Sequence, residues 1–218
     1  MPARANAMDH VVLVIFENRS FDNLLGRLYA PGETGSFEGV VGRELANPVP
    51  DWAEHGAPGG VVPYGVSVGM DTPDPDSGEE YPHTNTQLYN VVDEANRCVD
   101  ATEMVAPYNA PSDGRPPTMD GFVTDYISFL TVEFGRQPTY EEYRQIMTGY
   151  TPGQVPVIST LAGASAPSTT GSARSPRRPC PTARSGRRRP PPDSSPTAPS
   201  PTSCATTTPR RSSTGSIG

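Results

Sequence analysis

An α/β fold built on a parallel sheet, followed by a disordered tail, is predicted for this 218-residue chain. Three observations carry that reading. Residues 10–16, His-Val-Val-Leu-Val-Ile-Phe, form a short apolar run rich in β-branched side chains and bounded by polar residues, the pattern of a buried parallel strand. Residues 119–134 repeat apolar side chains at helical spacing, through Phe122, Val123, Tyr126, Ile127, Leu130 and Phe134. After residue 162 the composition changes abruptly and every aromatic residue lies before that point.

Taken in chain order, the strand at 10–16 leads into Glu17-Asn18-Arg19-Ser20-Phe21-Asp22. Ligands bind just beyond the carboxyl ends of parallel strands, which places Glu17 and Asn18 where chemistry is expected. A carboxylate beside a carboxamide offers hard oxygen ligands suited to a divalent cation or to orienting a phosphoryl group. A short helix is predicted near 20–28, with Ser20 as its cap and Gly26 as its stop. The polar, Gly- and Pro-rich stretch 47–80 reads as irregular connection, with short strands around 61–68. Thr139 followed three residues later by Glu142 is a capping-box pattern that opens a helix running to about Met147. Residues 154–162 read as the start of a further helix. Asp71, Asp74 and Asp76 space carboxylates like part of a calcium loop, but Pro73, Pro75 and the missing terminal Glu favour a solvated loop. Asp120 and Asp125 read as an exposed helical face or cap.

Charge divides the chain. Residues 1–162 hold 23 acidic side chains against 8 Arg, whereas 163–218 hold 9 Arg against the single Asp193. The second segment, made almost wholly of Pro, Ser, Thr, Arg, Ala and Gly, offers too little apolar surface to offset the entropy of ordering, so disorder is expected. The composition therefore separates a folded portion over 1–162, which the resemblance described below makes the N-terminal portion of a catalytic domain, from a disordered tail over 163–218. No apolar run approaches the length of a membrane span, and the N-terminus shows no basic region followed by an apolar core, which makes the cytoplasm the default compartment. Cys98, Cys180 and Cys204 have no metal-type spacing.

The strand, the complete Glu17–Asp22 block and the following Leu24, Leu25 and Gly26 resemble the opening of the bacterial phosphoesterase family that contains phosphatidylcholine-hydrolysing phospholipases C and a group of acid phosphatases. The resemblance covers the N-terminal part of that family only. It implies an alkaline-phosphatase-like parallel-sheet core, here incomplete. It also implies hydrolysis of phosphate mono- or diesters such as phospholipids, a Ser or Thr nucleophile, and a divalent metal cation held in part by Glu17 and Asn18. His83, in Tyr81-Pro82-His83-Thr84-Asn85-Thr86-Gln87, resembles the family's first active-site histidine, which contacts the phosphoryl group.

The same resemblance gives the tail an origin. When each tail codon is read one base earlier, the codon classes at Ser168, Thr169, Thr170, Gly171 and Ser172 admit Phe-Asp-His-Trp-Phe, which matches the family's next block. Matches continue through Ala173, Arg174, Ser175 and Pro176. The absence of Lys beside 17 Arg indicates a GC-rich gene, in which an out-of-frame reading yields such a composition. A frameshift near residues 162–167 is expected. The Thr nucleophile would then fall where this chain has Pro179, so the chain as it stands is expected to be inactive. The competing expectation is a non-enzymatic protein whose Arg-rich tail contacts nucleic acid through phosphates. The acidic front piece and a tail without any aromatic stacking platform argue against it, and no nucleic acid partner is expected.

Overall fold

A computed structural model describes residues 18–34 and 37–164. The predicted strand at 10–16, Glu17, and residues 165–218 with their Arg-rich tail lie outside the described residues. The chain divides into two compact units, one reaching Gly42 and resuming at Gly149, the other containing Arg43–Thr148. Among the described residues the architecture is mixed α and β, with two small two-stranded sheets.

In the first unit, helix α1 spans Phe21–Leu25. It forms where predicted because Ser20 Oγ accepts the Asn23 N–H at 3.1 Å, which satisfies one of the unpaired donors of the first turn. Gly26 closes it, its N–H donating to the Asp22 carbonyl. Phe37 packs edge-on to Tyr29, with ring centroids 5.0 Å apart, and also lies against Phe21. The Tyr150 N–H donates to the Asn23 carbonyl at 2.7 Å. Helix α5 spans Pro156–Ala164 and so runs past the predicted boundary at residue 162. Its start at Pro156, two residues later than predicted, suits a residue with no N–H to satisfy.

The second unit opens with strand β1, Ala46–Pro48, antiparallel to β2, Val61–Pro63, in the register Asn47 opposite Val62. Strand β3, Gly65–Val66, pairs in parallel with β4, Thr148–Gly149. Helices α2, Tyr81–Tyr89, and α3, Phe122–Phe134, pack together, and α4, Tyr140–Tyr143, continues into a 3₁₀ turn over Arg144–Met147. The core gathers Val123, Tyr126, Ile127 and Leu130 from α3 with Val62, Tyr143 and Met147. These α3 positions are the ones whose helical spacing was legible in the sequence. The two tyrosines of this core keep their hydroxyls paired, Tyr126 donating to the Pro75 carbonyl at 2.6 Å and Tyr143 to the His55 carbonyl at 2.8 Å.

Helix α3 begins at Phe122 rather than at Met119 for a visible reason. The Thr118 and Met119 N–H groups both donate to the Leu88 carbonyl, and Met119 takes a left-handed φ of 59°, so the chain here closes the end of α2 instead of entering a helix. Gly121 then brings α3 against α2 so closely that a Cβ would lie 1.8 Å from the Thr86 carbonyl oxygen. Asn47 caps the new helix from β1, its Oδ1 accepting the Phe122 N–H at 2.9 Å.

Candidate active site

His83 lies in the first turn of α2, a helix the sequence reading did not anticipate. The apolar periodicity that reveals α3 is missing from Tyr81–Tyr89 because its buried face is polar: His83, Asn85 and Thr86 are all buried. Pro82 near the helix start and Asn90, left-handed at its end, were the available signals. The polar face is satisfied by the loop between α2 and α3. Asn85 Nδ2 donates to the Tyr108 carbonyl, Asn109 Nδ2 donates to Thr86 Oγ1, and Asn96 Nδ2 donates to both Asn109 Oδ1 and the Val105 carbonyl. Buried polar groups paired in this way hold the loop to the helix.

The His83 imidazole is not the surface-loop ring a lone histidine suggests. It is 3% exposed, and its Nδ1 lies 2.8 Å from Asp125 Oδ1 on α3. Asp125, read from sequence as an exposed face or cap, is 2% exposed. Its other oxygen, Oδ2, accepts from Gln87 Nε2 at 2.8 Å, and the same amide donates to the Gly78 carbonyl at 2.9 Å. Gln87 sits one helical turn after His83, and Phe129 one turn after Asp125, so the α2–α3 pairing assembles all four side chains. Phe129 meets the imidazole edge-on at 5.7 Å. Gly78 closes over the ring: a Cβ there would lie 2.3 Å from His83 Cγ.

Two opposed effects set the charge of the pair. Burial works against a charged imidazole, but the hydrogen bond and negative charge of Asp125, helped by Glu80 and Asp100, outweigh it and hold His83 above the ordinary histidine value. Burial likewise pushes the Asp125 carboxyl up, with His83 and Gln87 pulling the other way. Asp100 is held below the usual carboxylate range by the Thr102 hydroxyl and backbone N–H.

Of the other predicted site residues, Glu17 lies outside the described residues. Asn18 belongs to the first unit and is exposed, with a left-handed φ of 58°. Among the described residues, no group of three or more His, Cys, Asp or Glu side chains is arranged to hold a metal ion. Asn18 alone offers one carboxamide oxygen, a hard ligand of the kind a divalent cation takes, and the carboxylate expected beside it, Glu17, lies outside the described residues. Asp71 and Asp74 are exposed and Asp76 half-buried on a loop, in keeping with a solvated segment. Asp120 is bonded by the Thr118 hydroxyl and does not reach the cluster. Ser20 is a helix cap, as expected. The residues missed from sequence are Asp125 and Gln87: the bond from His83 to Asp125 spans 42 residues, and only the packing of α2 on α3 makes it. Among the described residues no helix is long and apolar enough to cross a membrane. No protein-family model, no curated protein and no solved structure matches this chain.

Proposed function

We propose that the chain is the N-terminal portion of a phosphoesterase catalytic domain with an alkaline-phosphatase-like core, whose complete form hydrolyses phosphate mono- or diesters such as phospholipids. The observation that supports this most is the buried His83–Asp125 pair at the position where the sequence resemblance expects a phosphoryl-contacting histidine. Phosphoryl transfer depends mainly on fixed donors and counter-charge around the transferring group, and a buried imidazole locked by a carboxylate is such a donor. His83 would bind a phosphoryl oxygen through the ring nitrogen that Asp125 leaves free. Glu17 and Asn18, with ligands encoded downstream, would hold the divalent cation, which supplies further counter-charge when bound. Pro179 stands where a hydroxyl nucleophile is needed, so the chain in its present form has no attacking group.

The deciding experiment shifts the frame by one base near codon 165 and assays the product on a chromogenic phosphate ester and a phosphocholine analogue, with and without chelator. The frame-restored protein is expected to hydrolyse at least one of them in a metal-dependent manner, and the present chain neither. Glu17→Ala in the restored protein is expected to lower the rate by roughly 10²–10³-fold, the scale of a lost charge-stabilising group. A restored protein with no turnover, or turnover by the present chain, would overturn the reading.

A further inference from the structure

Neither the Glu17–Asp22 block nor the resemblance names a role for Asp125, yet the structure builds the site around it. Resting on the phosphoesterase reading, we propose that Asp125 is the positioning residue of His83: it fixes the ring through Nδ1 so that Nε2 carries the proton offered to a phosphoryl oxygen of the substrate. Both carboxylate oxygens are committed, Oδ1 to His83 at 2.8 Å and Oδ2 to Gln87 at 2.8 Å. The Gln87 amide is itself anchored on the Gly78 carbonyl, so rotating the carboxylate out of plane would break a chain of bonds in a buried place. Phe129, edge-on at 5.7 Å, and Gly78, whose missing Cβ leaves room for the ring, both border it.

The proton count gives this geometry its consequence. When the pair carries one proton beyond the bare carboxylate and the Nδ1–H imidazole, Nε2 bears a hydrogen wherever the shared proton sits. An imidazolium facing a carboxylate and a neutral Nε2–H ring facing a carboxylic acid both offer the same Nε2 donor. Losing that one proton removes the donor. Glu80 and Asp100 are the other charged groups acting on the ring, and both are acidic, so they too favour its retention. An anionic phosphate ester would meet a donor at Nε2 whenever the pair holds that extra proton. No covalent bond to His83 is involved; the ring lends a hydrogen bond to charge that grows on the phosphoryl oxygen.

The test reads His83 directly in the full chain by ring-nitrogen NMR across pH, in the native protein and in Asp125→Asn and Gln87→Ala. Asp125→Asn is expected to weaken the proton affinity of His83 by at least about tenfold, one unit on the pH axis, and Gln87→Ala to weaken it less in the same direction. Circular dichroism confirms folding, and Gln87→Ala carries the test should Asp125→Asn fail to fold. An unchanged His83 titration in the folded variants would overturn this role for Asp125.

In the frame-restored protein, Asp125→Asn is further expected to move the alkaline limb of the kcat/KM profile to lower pH. A uniform loss of activity with that limb unmoved would reduce Asp125 to a structural part and overturn the positioning role. Absence of turnover together with a shifted His83 titration would instead overturn the phosphoesterase reading, while supporting the hold of Asp125 on the ring.

Discussion

A single methyl group at Gly78 tests how tightly the His83 slot is built. Its Cβ would fall 2.3 Å from the imidazole Cγ, and the ring is buried and held by Asp125. Gly78→Ala is therefore expected to destabilise the protein by roughly 1–3 kcal/mol, the usual scale of overpacking, and to disturb the His83 titration as well. Urea denaturation gives the first quantity and ring-nitrogen NMR the second. The same pair makes stability depend on pH. The folded chain binds the His83 proton more tightly than the unfolded chain, so this contribution is complete below the ordinary value of 6.5 and is lost as pH rises through the raised folded value. The burial-raised Asp125 works in the same sense, its contribution falling as pH rises from the ordinary 3.8. Replacing His83 by Gln is expected to flatten the decline of stability above pH 6.5, measured as denaturation midpoints across buffers.

At the scale of elements, α4 shows what local chemistry can write into a sequence. Its capping box is complete: the Thr139 N–H donates to Glu142 Oε2 at 2.7 Å, and the Thr139 side chain accepts from the backbone of the first turn. Arg136 grips the Glu142 carboxylate through both terminal nitrogens and, with the Thr139 N–H, holds it down at about 2. Glu142 thus contributes stability above its ordinary 4.5 that is lost as pH falls toward about 2, and Glu142→Gln is expected to remove that acid-side loss from the pH–midpoint curve. Thr139→Ala is expected to cost about 0.5–2 kcal/mol in the same denaturation experiment. Such signals, like the apolar spacing of α3, act within a few residues and can be read from the chain. Helix α2 could not be read this way, because its buried side chains are polar and their partners lie in a distant loop. For the same reason Asp125 looked like surface: its neighbours Val123 and Tyr126 mark the core face, but a buried carboxylate is intelligible only beside the histidine it holds. His83 itself stood out through the resemblance alone, not through any spacing of its own.

Across the whole molecule, α3 buries Val123, Tyr126, Ile127 and Leu130, whereas on α5 Val157 is 73% exposed and Leu161 64% exposed, one helical turn apart on the same face. Two large aliphatic side chains in that arrangement contribute little to the present fold, since surface substitutions usually change stability by less than about 0.5 kcal/mol. The frameshift reading assigns them a cover, namely the Phe-Asp-His-Trp-Phe block that follows once the frame is restored. Leu161→Ala should then behave differently in two proteins. In the present chain it is expected to leave the denaturation midpoint where it is, read through the fluorescence of Trp52, the only tryptophan in the sequence, and through far-ultraviolet circular dichroism. In the frame-restored protein the same substitution is expected to cost roughly 2–5 kcal/mol, as truncating a buried leucine does. Leu130→Ala, in the core of α3, serves as the reference, with a loss of that size in both proteins. Equal and small effects of Leu161→Ala in both would mean that the restored segment does not pack on α5, and the expected continuity of the catalytic domain beyond residue 162 would fail with it.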